Sequence, residues 1–230
     1  MQATRKELRA RARASLKGNW GKAIGAIFLS AIPSFVLGFL GAFSQSLKIA
    51  GDIMSFLIAG MMALGAAMFY LALARQQNPK ATDVYQGFNT PGKAFLLYLL
   101  VLVFTILWML LLTIPGTIAA YSYSMDYWML LPLIIPGIIA VYRYSMAYYI
   151  LADNPDITPL EAIRRSKQMM AGHKWRLFLL QLSFIGWFLL CILTLGIASL
   201  WVSSYIAVAT AHFYEDLKNQ GEKPPVPNAI

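Results

Sequence analysis

The sequence is poor in charge. Only 13% of its 230 residues are Asp, Glu, Lys or Arg, about half the fraction usual in a soluble domain, and this argues against a soluble globular protein. There is a single cysteine, Cys191, inside an apolar run. That excludes an intrachain disulfide, and the thiol reads as a small packing residue. The two histidines, His173 and His212, are far apart. His212-x-x-Glu215 has a spacing that suits a metal, but it falls at the end of an apolar run, where solvated polar residues are normal. No phosphate-binding glycine loop, zinc-protease motif or pair of carboxylates within an apolar run occurs. These absences point away from an enzyme, and no cofactor or metal is expected.

Long apolar stretches are abundant. Hydrophobic residues make up 59% of the chain, and several runs approach the roughly 20 residues that carry a helix across a bilayer. Six spans are expected: Ala23–Phe43, Ile53–Ala74, Ala94–Ile114, Leu131–Leu151, Leu177–Leu193 and Ile197–Phe213. Pro33 lies inside the first and removes one backbone hydrogen bond, which predicts a kink. The basic start is too long for a signal peptide and is expected to be kept as the approach to the first span. Gly21-x-x-x-Gly25 and Ala59-x-x-x-Ala63-x-x-x-Ala67 suit close helix packing.

The net charge of +9 does not point to nucleic acid, because the basic residues flank apolar runs. In the six-span reading, 17 of the 19 Lys and Arg fall on one side; Lys48 falls on the other and Arg143 within the fourth span. Lys and Arg concentrate on the cytoplasmic side of membrane proteins. The expected topology is therefore multi-pass in the cell membrane, with both termini cytoplasmic.

Residues 114–130 (IPGTIAAYSYSMDYWML) and 135–151 (IPGIIAVYRYSMAYYIL) match at 11 of 17 positions. They differ in charge: Asp126 stands opposite Ala147, and Arg143 opposite Ser122. Crossing the membrane with both copies would move Arg164–Arg176 to the outside, so the first is expected to re-enter or lie at the outer surface. Its Tyr121, Tyr123, Tyr127 and Trp128 suit the headgroup level. The second copy is expected to span, which puts Arg143 inside the bilayer at a cost of at least about 2.5–3.5 kcal/mol. Such a residue marks a candidate anion or lipid-headgroup site. Asp126 is a candidate partner, and Tyr142, Tyr144 and Ser145 are candidate lining residues. The glycines at 116, 137 and 196 read as outer-surface turns.

A coarser repeat suggests three helical hairpins, each entered through a basic segment. Arg5, Arg9 and Arg13 recur every four residues opposite Leu8 and Leu16. This makes a basic helix that anionic lipid attracts by about 1 kcal/mol per basic residue. Residues 158–172 are amphipathic. Leu160, Ile163, Met169 and Met170 are apolar, Arg164, Arg165 and Lys167 are basic, and Thr158-x-x-Glu161 has capping-box spacing. This helix is expected on the inner leaflet.

The opening RKELRARARASLKGNWGKAI, the Ile-Pro-Gly-Ile, Tyr-x-Tyr-Ser-Met and Ser-Phe-Ile-Gly-Trp motifs, and the closing Phe-Tyr-Glu resemble a family of bacterial integral membrane proteins. That family is catalogued as a domain of unknown function, number 975. The resemblance covers nearly the whole chain, implies a multi-helix membrane protein, and supplies no catalytic residues.

The sequence thus predicts an all-α polytopic membrane protein of about six helices in three hairpins, with amphipathic cytoplasmic helices. Residues 1–218 form one domain and 219–230 a disordered tail. The expected function is non-enzymatic: binding membrane lipid or a hydrophobic peptide, or supporting another membrane protein of the envelope. The alternative is a small transporter with its site around Arg143.

Overall fold

The computed structural model describes residues 2–122 and 141–221. Among these the chain is all-helical, with no strand. The helices are α1 (Arg5–Leu16), α2 (Trp20–Gly41), α3 (Gln45–Ala74), a 3₁₀ helix (Ala81–Asn89), α4 (Pro91–Ser122), α5 (Ala147–Asp153), α6 (Pro159–Met169), α7 (Lys174–Leu182), α8 (Ile185–Leu193) and α9 (Ser199–Gly221). Among the described residues four stretches are long and apolar enough to cross a membrane: α2, α3, Pro91–Leu111 of α4, and Lys174–Leu193, which α7 and α8 share. They suggest a membrane protein. α9 is not one of the four, since its second half carries Glu215, Asp216 and Lys218. It continues to Gly221, past the boundary expected at 218. The first ten residues of the fourth expected span, the first copy of the repeat beyond Ser122, and Asp126 lie outside the described residues.

Large apolar side chains divide into two zones. One zone is exposed: Phe28–Phe43 along α2, Leu47–Leu57 on α3, Leu96 and Val103–Leu111 on α4, and most of α8. The other is a packed core. It contains Leu8, Ala12 and Leu16 of α1, Leu64–Ala74 of α3, Val84, Met146–Leu151, Ile163, Leu177, Leu180, and Val202–Leu217 of α9. We call it the head. α3 passes from one zone to the other near Gly60, so half of this apolar helix packs against protein.

Glycines permit that change. A Cβ on Gly65 would lie 1.7 Å from the Val84 carbonyl oxygen, and one on Gly87 would lie 1.9 Å from that of Met61. The 3₁₀ helix therefore lies backbone to backbone on α3. Gly60 approaches the Ala94 carbonyl of α4 in the same way, at 2.8 Å. These contacts sit one or two residues from the expected Ala59–Ala63–Ala67 stripe, of which Ala67 is buried. Of Gly21-x-x-x-Gly25, only Gly25 meets a neighbour, Ala81.

α2 runs as one helix through Pro33. The proline has no N–H for the carbonyl of Leu29 four residues earlier. Tyr85 of the 3₁₀ helix supplies the missing donor: its hydroxyl bonds Leu29 O at 2.7 Å. The loop that packs on α3 thus also repairs α2.

Candidate functional site

α1 starts with a capping box. Thr4 accepts from the Glu7 N–H, and Glu7 accepts from the Thr4 N–H. Its apolar face, Leu8, Ala12 and Leu16, is buried against protein, mainly α9. Ser15 on that face hydrogen-bonds His212 Nε2 at 2.9 Å. The flank beside that face leaves Arg5 and Arg13 exposed and Arg9 half-buried. The Arg9 guanidinium lies over the Phe184 ring, 5.4 Å from its centroid. Phe184 meets Tyr205 edge-on at 4.8 Å, and the Tyr205 hydroxyl donates to the Arg9 carbonyl.

Above this contact lies a cleft of about 410 Å³. Three tryptophans line it: Trp20 from the start of α2, Trp187 from α8 and Trp201 from α9. Leu190, Ile197 and Val202 add apolar wall, and among the described residues Arg13 is the one charged residue that lines it. Trp187 and Trp201 are 41% and 45% exposed, so the cleft is open on the face where α2 and α8 present apolar side chains. Its volume falls in the range of about 300–1,000 Å³ typical of small-molecule sites. Indole rings concentrate at the headgroup level of membranes. A guanidinium beside them can take a phosphate through two parallel hydrogen bonds.

Below the cleft, at the opposite end of the head, an ion-pair lattice joins four helix ends. Asp153 closes α5 and is 9% exposed; it bonds Arg75 at 2.7 Å, Lys218 at 2.6 Å and the Tyr214 hydroxyl at 3.0 Å. Arg75 also holds Glu215 at 2.7 Å. Burial alone would raise the Asp153 pKa. Hydrogen bonds from Lys218, Arg75 and Tyr214 outweigh it and hold the carboxyl below its ordinary range. Asp216 takes Arg176 at 2.8 Å and the Ala3 N–H at 3.2 Å, which ties down the start of the chain. His212 and Glu215 therefore turn to different partners, Ser15 and Arg75. Among the described residues no group of three or more His, Cys, Asp or Glu could hold a metal.

Arg143 is half-buried. Its guanidinium lies over the Trp108 ring at 5.7 Å, and Lys174 is near enough to feel its charge. No carboxylate pairs with it among the described residues; the proposed Asp126 partner lies outside them. The neighbouring candidates serve packing. Tyr144 is buried and stacks on Phe104 at 5.8 Å, Tyr142 donates to Gln181 at 2.6 Å, and Ser145 donates to the Tyr142 carbonyl. None of these residues lines the tryptophan cleft.

One family model, described as Protein of unknown function (DUF975), matches residues 1–221. The chain belongs to that family. No curated protein and no solved structure matches it.

Within this family member, the second basic helix is also committed to protein on its apolar side. Ile163, Ser166 and Met170 are buried, and Ser166 donates to the Arg143 carbonyl. Thr158 caps α6 by accepting from Glu161 N–H, but the Glu161 carboxylate turns outward to Arg164 and Arg165. Only half of the capping box forms. Arg164, Arg165 and Lys167 point away from the core, and Leu160 is exposed beside them.

Proposed function

We propose that this is a non-enzymatic membrane protein that binds one anionic phospholipid in the tryptophan cleft. The observation that carries the reading is the pairing of Arg13 with Trp20, Trp187 and Trp201 around one opening. The phosphate would sit at Arg13 and the first part of an acyl chain against Leu190, Ile197 and Val202. The cleft offers no acid–base pair, which favours binding over turnover. The head and both termini belong on the cytoplasmic side of the cell membrane. Arg75, Lys80, Lys93 and Arg164–Arg176 cluster at that end, whereas Lys48 lies in the first turn of α3, next to the α2–α3 turn.

Native mass spectrometry of detergent-purified protein tests this, using phosphatidylglycerol in competition with phosphatidylcholine. One retained phosphatidylglycerol is expected, lost in Arg13→Glu. Retention by Arg13→Glu, or no preference in the wild type, overturns the reading. Arg13 is exposed and bonds no other side chain in the described structure, so the variant keeps its fold.

A second reading places an anion near Arg143, as in a small transporter. It is favoured by two neighbouring cations, Arg143 and Lys174, with no described carboxylate between them.

A further inference from the structure

The runs Leu177–Leu193 and Ile197–Phe213 look like two spans, and Lys174–Leu193 has the length of one. Three observations argue otherwise. The first is depth. The Trp187 ring meets Tyr205 at 6.2 Å, which sets α8 level with α9 there, and Trp20 at the start of α2 lines the cleft that runs from these rings toward Thr194 and Ile197. From that level α2 runs 21 residues to Gly41, about 32 Å at 1.5 Å per residue, which matches a hydrocarbon core of about 30 Å. α8 runs only from Trp187 to the turn at Leu195, about 12 Å, and α9 returns to Trp201 in about 9 Å. Tilting either arm shortens this reach further. On the other side of that level, Leu177, Leu180, Phe184 and, on α9, Tyr205, Val208, Ala209, Ala211, Phe213, Tyr214 and Leu217 are buried in the head and are not available to lipid.

The second is the chemistry of the tip. No Asp, Glu, Lys or Arg occurs between Arg176 and Glu215. Leu193 is 80% exposed and Leu195 95%, with Ile192 and Ile197 also exposed. The cap and first turn of α3, by contrast, offer Ser44, Gln45, Ser46 and Lys48, all exposed.

The third is the backbone. Every N–H from Thr194 to Val202 has an acceptor within the hairpin. Leu195 N–H bonds Ile192 O and Gly196 N–H bonds Cys191 O, a Schellman closure. The Ala198 N–H bonds the Thr194 hydroxyl oxygen. Leu195 takes the left-handed position (φ +49°) that glycine normally fills, and this presents its side chain outward. A turn in water has no need to satisfy every donor internally; one in hydrocarbon does.

We infer that α8 and α9 form a re-entrant hairpin that enters the leaflet on the α1 side and turns back near the bilayer centre. Its occupied surface, Ile185–Trp201, contacts the acyl chains of that one leaflet. The inference requires no ligand in the cleft.

The test is cysteine labelling of Leu195→Cys in a Cys191→Ala background, with a membrane-impermeant maleimide applied to sealed vesicles of either orientation. Leu195→Cys should stay unlabelled from both sides until detergent is added, while Lys48→Cys labels from the side opposite α1. Labelling of Leu195→Cys from that opposite side overturns the inference. Ile197→Cys serves if the first variant fails to insert. As a second readout, an environment-sensitive fluorophore on the same cysteine should be quenched most by phospholipids brominated near the chain end. Strongest quenching by lipids brominated near the headgroup also overturns it.

Discussion

Removing the Tyr85 hydroxyl should cost stability only because Pro33 is in the chain. Proline leaves the Leu29 carbonyl without its helical donor, and Tyr85 bonds that oxygen at 2.7 Å. Tyr85→Phe keeps the ring and its contact with Phe88 and strands the carbonyl. A low-dielectric acceptor left unpaired costs about 1–3 kcal/mol, which for a chain of this size is a melting shift of several degrees. In Pro33→Ala the new N–H takes Leu29 O, and Tyr85 becomes a spare donor. Tyr85→Phe should then cost less than about 1 kcal/mol, the net worth of an ordinary hydrogen bond. Thermal unfolding in one detergent, followed by circular dichroism for the wild type, both single variants and the double variant, closes the cycle. A coupling of about 1–2 kcal/mol is expected, above the roughly 0.3–0.5 kcal/mol scatter of independent sites. Additive effects would mean that Tyr85 and Pro33 act separately, and the repair of α2 by the 3₁₀ helix would be refuted.

Gly65→Ala and Gly87→Ala should each abolish a monodisperse folded peak in size-exclusion chromatography, because the added carbon meets a backbone oxygen at under 2 Å; Gly21→Ala, with open space around it, should elute as the wild type does. Asp153 has a depressed pKa in the folded state. The stability it confers is present above its ordinary value near 3.8 and is lost as pH falls through the folded value. Melting temperature should therefore drop on acidification below about pH 4, and Asp153→Asn should melt lower at neutral pH and show a shallower acid limb; an unchanged acid limb would remove Asp153 from the account. For the reading centred on Arg143, an Arg143→Cys variant in a Cys191→Ala background should react with small water-soluble thiol reagents from at least one side, and complete protection from both sides rules out a transport path there.

Apolar composition and run length made the helical class and the first three long helices legible. Ala23–Phe43, Ile53–Ala74 and Ala94–Ile114 all fall within or nearly within α2, α3 and α4. Three other features were not legible, and each has a physical cause. A leucine facing lipid and a leucine packed in protein read alike. Nothing in Leu177, Leu180 and Phe184 therefore separates them from Ile185, Leu189 and Leu193, although the first set is buried and the second exposed. The ion-pair lattice joins Arg75, Asp153 and Glu215 across the chain, so no local spacing announces it. The tryptophans at 20, 187 and 201 meet only in the fold, and preference of indole for the membrane interface was the one available hint. Topology was hidden for another reason. The charge count places Arg164–Arg176 and Lys218 on the same side whether the intervening hairpin crosses twice or turns back at the midplane. A rule that weighs only the flanks cannot distinguish these cases. The distinction lies in how much of each arm the head consumes, and α1, laid across the lower part of α9, is what shortens it.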